Sequence, residues 1–127
     1  MQSHWAKYIC VLSAGLFENA LPELYAEYAQ GSANPAVALY VKTSISKIQN
    51  PKTARFIETA GAFKKEWEEE LKAFADDEGR KDAVDSIMSN RHRVAHGKSS
   101  DISMARVKDY LKKSIELIEF IEEQCKR

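Results

Sequence analysis

Apolar residues recur at helical spacing along nearly the whole chain, and nowhere do they alternate with period two over a useful length. The clearest run is Phe56, Ala60, Phe63, Trp67, Leu71 and Phe74, whose steps of three and four keep the side chains on one helix face. A half-buried strand would need every second residue apolar, so no sheet is expected. The fold class is therefore all-α. With 127 residues there is room for one domain with a real core, spanning 1–127. The expected architecture is an up-and-down bundle of about five helices.

The first helix, about Ser3 to Gln30, repeats apolar residues at Trp5, Ile9, Leu12, Leu16 and Ala20. A second apolar side carries Val11, Ala14, Phe17, Leu21 and Tyr25, with Glu18 set among them. A helix that is apolar nearly all round lies at the centre of a bundle or at a subunit interface. Pro22 is a candidate kink or break, because proline removes a backbone donor and crowds the preceding turn. Gly31 to Pro35 reads as a stop and restart, with Asn34 as cap and Pro35 at the first helical position.

The second helix carries Val37, Tyr40, Val41, Ile45 and Ile48 and ends at Asn50-Pro51. Thr53 is a candidate cap for the third, which runs to Phe74 across Gly61; that glycine costs about 1 kcal/mol relative to alanine. The aromatic stripe reads as core, and Lys64 to Glu70 as a solvated face. Asp76 to Gly79 forms an acidic linker into a fourth helix, where the helix dipole favours acids. Gly97 is a natural left-handed stop, and Lys98 to Asp101 a polar loop. A last helix, from about Ser103, carries Met104, Val107, Leu111, Ile115, Ile118 and Ile121.

Nineteen basic residues balance nineteen acidic ones, so any nucleic-acid contact must be a local patch, and a general DNA-coating protein is disfavoured. The two cysteines, Cys10 and Cys125, lie at opposite ends without a Cys-x-x-Cys pattern, and reduced thiols are the default. The apolar run from Tyr8 to Phe17 is too short to span a bilayer, and Glu18, Asn19, Pro22 and Glu23 follow it. No membrane association and no signal peptide are expected, and the chain reads as cytoplasmic.

Chemistry concentrates in Asn90-Arg91-His92-Arg93-Val94-Ala95-His96-Gly97, which holds two of the three histidines. Val84, Ile87, Met88, Val94 and Ala95 share one helix stripe, and Arg91 projects from the middle of it. Asp85, Ser89, His92 and His96 line its flank. A guanidinium on a core-facing stripe cannot shed its charge and needs an anionic or hydrogen-bonding partner. Glu18, itself poorly placed among apolar neighbours, is the candidate partner. Two readings of Arg91 stay open: a structural arginine satisfied by a carboxylate, or an anion site with imidazoles beside it.

Arg91 and His96 stand about 140° apart around an ideal helix, so they do not share a face. They converge if the helix loosens before Gly97, or if a twofold axis brings two copies of the motif together. Arginine then holds a phosphate, and a histidine titrating near neutrality moves a proton at a ribose 2′-hydroxyl or a leaving oxygen. Such cleavage needs no metal or other cofactor. The competing reading is a zinc site at His92 and His96, spaced i, i+4. Arg93 stands where the glutamate of His-Glu-x-x-His would be, and no further ligand pair is available, so no metal is expected.

Arg91-His92-Arg93-Val94-Ala95-His96, with Asn90 before it and Gly97 after, resembles the Arg-polar-x-x-x-His signature of the HEPN superfamily, closest to its small stand-alone RiboL-PSP type. The all-α framework, the motif at the end of a late helix and the final amphipathic helix extend the resemblance over most of the chain. It implies a homodimer whose paired motifs form a cleft, and a metal-independent endoribonuclease of toxin–antitoxin, CRISPR or phage-defence systems. By resemblance Arg91 and His96 are catalytic, with His92 assisting. Asn90, Arg93 and Glu18 are expected as substrate-binding or supporting groups. RNA is the implied substrate, and an antitoxin or defence-system protein the implied partner. Some HEPN domains are non-catalytic binding modules of a partner protein or nucleotide, and that alternative stays open.

Overall fold

The longest helix of the computed structural model, α1, runs unbroken from Gln2 to Ser32. The structure describes the backbone of residues 2–47, 52–95 and 103–126, and the side chains of 6–47, 52–93 and 103–126. Pro22 sits inside α1 without ending it. Its missing N–H forfeits one bond, to the carbonyl of Glu18, while Phe17, Leu21, Tyr25 and Ala29 bury one continuous face on both sides of it. That burial outweighs one lost hydrogen bond.

Five further helices follow: α2 (Pro35–Ile45), α3 (Thr53–Phe63), α4 (Lys65–Asp76), α5 (Arg80–Ala95) and α6 (Met104–Lys126), with a 3-10 turn at Asp77–Gly79. No strand is present among the described residues. α1 packs on α2, α5 and α6, and α3 pairs with α4. The core joins Cys10, Ala14, Phe17, Leu21 and Tyr25 of α1 to Phe56 of α3, Trp67 and Leu71 of α4, Val84, Ile87 and Met88 of α5, and Leu117 and Ile121 of α6. The architecture is thus the expected all-α bundle.

Among the described residues there are six α-helices against the expected five or so, because the third expected helix is two. Lys64 is extended (φ −146°, ψ 133°) and separates α3 from α4. Gly61 lies just before this break, where a Cβ would fall 2.4 Å from Glu68 Oε2 and 3.1 Å from Glu68 Cβ. The glycine lets the two helices meet closely, and Trp67 stays in the core beyond the break.

Caps explain several boundaries. Asn34 accepts from the Ala36 amide at 2.8 Å with Pro35 at the first helical position, as expected. Ser103 accepts from the Arg106 amide at 3.2 Å at the start of α6. Thr53 is the first residue of α3 rather than its cap; its amide donates to Asp85 Oδ1 on α5 at 2.9 Å, so α3 is capped from another helix. The expected Ile48 and the stop at Asn50-Pro51, the side chains of Trp5, Val94 and Ala95, Gly97 and the loop Lys98 to Asp101 lie outside what is described.

Two buried faces differ from the expected stripes. In α2 the inward residues are Ala38 and Ile45 with Val41 half-buried, whereas Val37 and Tyr40 face outward. In α6 the buried line is Val107, Ser114, Leu117, Ile121 and Gln124, and Ile115 is exposed. It admits polar residues because backbone carbonyls accept from them: Ser114 Oγ donates to Tyr110 O at 2.6 Å, and Gln124 Nε2 to Trp67 O at 3.2 Å.

The acidic linker closes around Arg80, which is buried. Its guanidinium carbon lies 3.7 Å from the centroid of the Phe74 ring, and Phe74 stacks on Phe120 at 4.3 Å. Arg80 donates to the carbonyls of Phe74 (3.0 Å) and Asp77 (3.4 Å), to Glu78 Oε2 (3.0 Å) and to Glu116 Oε1 (3.4 Å). Glu78 and Gly79 take positive φ, 55° and 72°, to turn the chain there. Asp77, Glu78 and Glu116 are 74%, 64% and 35% exposed, so removing the arginine strands no buried charge. The loss is that of the stack and of the carbonyl bonds at the α4 end. Arg80→Ala is expected to cost about 2 kcal/mol, below the 3–5 kcal/mol of a broken fully buried pair. Urea unfolding of the two proteins measures the difference.

Candidate functional site

α5 buries Ala83, Val84, Ile87 and Met88 against the core, and the next position on that stripe is Arg91. Here the stripe reaches the rim of the bundle, and the side chain of Arg91 is 27% exposed. Arg91 Nη1 donates to Glu18 Oε1 of α1, whose side chain is 23% exposed. Glu18 directly follows the buried Phe17, so the core fixes its backbone. The pair answers the requirement that a guanidinium leaving a core stripe meet an anion.

Behind this pair α1 and α5 are joined a second time. Cys10 is fully buried, and its thiol donates to the Ile87 carbonyl at 3.3 Å. Burial pushes the Cys10 thiol up to about 11, while the Arg91 backbone N–H and the Arg91 charge pull in the other direction. A neutral thiol therefore sits beside the backbone of the turn that carries Arg91. Nothing in the spacing of Cys10 signals this contact, because it depends on how α1 crosses α5.

The other flank of α5 is polar. Asp82, Asp85, Ser86, Ser89, Asn90 and Arg93 line an open groove of about 360 Å³. Asn90 Nδ2 donates to Ser86 O, one turn back, at 2.8 Å. Asp85, expected only as part of a flank, is the cap of α3. The named residues thus divide. Arg91 and Glu18 form a pair facing α1, Asn90 and Arg93 line the groove, and His92 is exposed. His96 lies outside the described residues. Among the described residues no group of three or more His, Cys, Asp or Glu stands where it could hold a metal ion.

An all-α bundle whose late helix carries an Arg-x4-His sequence fits a helical domain of the HEPN class. The chain belongs to the RiboL-PSP-HEPN family, whose model matches residues 2–127. No curated protein and no solved structure matches it. No helix among the described residues is long and apolar enough to cross a membrane.

Raising the Cys10 thiol from 9.0 to about 11 lowers its thiolate fraction near pH 8 about a hundredfold. Iodoacetamide is expected to alkylate Cys10 at least a hundredfold more slowly in the native protein than in urea. Mass spectrometry of timed samples reads this, and equal rates would mean that the α1–α5 contact opens freely.

Proposed function

We propose that this protein is a metal-independent endoribonuclease working as a homodimer, in a toxin–antitoxin or phage-defence setting. The observation that carries the reading is Arg91, held at the rim by Glu18 within the Arg-x4-His sequence of a HEPN-family chain. Arg91 binds the scissile phosphate and stabilises negative charge as it builds up. One histidine takes the 2′-hydroxyl proton, and the 2′-oxygen attacks phosphorus. The bond to the 5′-oxygen breaks, and a second histidine protonates that leaving oxygen. His96 is the first choice for this work and His92 the assisting group. Asn90 and Arg93 contact the strand from the groove beside them.

The homodimer draws support from the outward side of α1. Tyr8, Val11, Leu12 and Leu16 follow steps of three and four on one face, and Tyr8 and Leu12 remain 58% and 55% exposed. The strip borders Glu18, so a second copy seated there brings two motifs near one another. RNA, with its continuous phosphates, suits a site whose cations Arg91 and Arg93 are clustered in a chain of zero net charge.

A second reading, a non-catalytic module that binds a protein partner such as an antitoxin, is favoured by α2. That helix carries a single charge, Lys42, and exposes Val37, Leu39 and Tyr40 at 52%, 64% and 74%. One incubation separates the two readings. The parent is expected to cut total RNA or tRNA in EDTA into discrete fragments ending in 2′,3′-cyclic phosphate. Arg91→Ala and His96→Ala, folded and dimeric, are expected to lose at least a hundredfold in rate. Undiminished cleavage by either variant overturns the assignment, and no cleavage of any RNA by the parent dimer favours the module.

A further inference from the structure

Glu18 bears on the Arg91 site in a way that the Arg-x4-His sequence does not describe. Arginine is a long side chain with several rotatable bonds, and a phosphate site needs it in one pose. In this fold the pose is set from α1: Phe17 and Leu21 anchor the helix in the core, and Glu18 Oε1 receives Arg91 Nη1 between them. Cys10, about two turns earlier on α1, fixes the same crossing through the Ile87 carbonyl. The carboxylate has a second effect. Each Arg91 comes with an equal and opposite charge, which lowers the potential the site offers to a polyanion.

Resting on the reading of Arg91 as a phosphate ligand, we infer that Glu18 is a positioning residue that holds Arg91 ready for a phosphate at the expense of affinity. The two effects come apart in two substitutions. Glu18→Gln keeps an acceptor oxygen for Arg91 and removes the charge. Glu18→Ala removes both.

For Glu18→Gln, kcat is expected within about threefold of the parent and RNA affinity to rise. The slope of log K against log salt should steepen by about one, the signature of an added positive charge. For Glu18→Ala, kcat per folded molecule is expected to fall about 10- to 100-fold with KM no higher, because a misplaced group loses rate before binding. A carboxylate that only braces the bundle would lower the melting temperature and leave kcat and the salt slope unchanged, which overturns the proposal. So does a Glu18→Gln protein as slow as Glu18→Ala.

Arg91 itself gives a readout that needs no turnover, namely its Nε–Hε signal in ¹⁵N NMR, assigned with Arg91→Lys. An ordered signal is expected in the parent and in Glu18→Gln, and the position of a mobile arginine in Glu18→Ala. A mobile signal in the parent overturns the proposal whether or not RNA is cut. If the parent cuts no RNA, the ribonuclease reading falls by itself, and a 2′-O-methyl oligoribonucleotide becomes the probe. Arg91-dependent binding that tightens more in Glu18→Gln than in Glu18→Ala upholds the positioning role; identical binding by all three proteins, or no binding by the parent, overturns it.

Discussion

A guanidinium keeps its charge at every pH the protein meets, and the apolar stripe of α5 runs straight into one. Val84, Ile87 and Met88 are buried, and Arg91 takes the next place in the same line. Either the stripe stops being core at that point, or an anion is brought to it. The structure does both: the stripe reaches the rim, and α1 supplies Glu18. That solution constrains the rest of the bundle. α1 must cross α5 closely enough for Cys10 to reach the Ile87 carbonyl, and it must stay helical past Pro22 so that Phe17, Leu21 and Tyr25 share one buried face.

What could be read from the residues depended on the range of the interaction. The helix start at Asn34-Pro35 is a matter of neighbours, and it is where the local chemistry puts it. The Arg91–Glu18 pair spans 73 residues, yet each partner stood out as a charge within an apolar pattern, and two such misfits invite each other. The Asp85 cap on Thr53 leaves no such trace, since an aspartate on a helix flank and a threonine two residues after a proline are both ordinary. The break at Lys64 was hidden for another reason. The aromatic spacing runs on across it, because both helices turn their aromatic residues to the same core.

The apolar character of α1 on nearly all sides has two separate physical sources. Its inner face, from Cys10 to Tyr25, is the spine of the core. Its outer face divides along its length: α2 packs beside the part around Pro22 and Ala26, which are half-buried, while Tyr8, Leu12 and Leu16 stay exposed beyond it. A helix buried on one side only would carry charges at those outer positions. Their absence leaves an apolar strip facing water, and α2, which turns Val37 and Tyr40 outward, shares that character.

Within one copy, the motif's arginine and second histidine project about 140° apart on an ideal helix, and Arg91 is already committed to the α1 side. Bending the helix end inward would press charged side chains toward apolar packing, at a desolvation cost of several kcal/mol per ion. Joining two copies along the exposed face of α1 needs no such burial, because the strip beside Glu18 is apolar and the charged residues stay at its edge. Of the two routes by which the motif can converge, the proposed homodimer is the one that also covers this apolar surface. The carboxylate then has a reason to be at the border of that face: two arginines approaching across an axis repel, and each Glu18 offsets the charge of the arginine it holds.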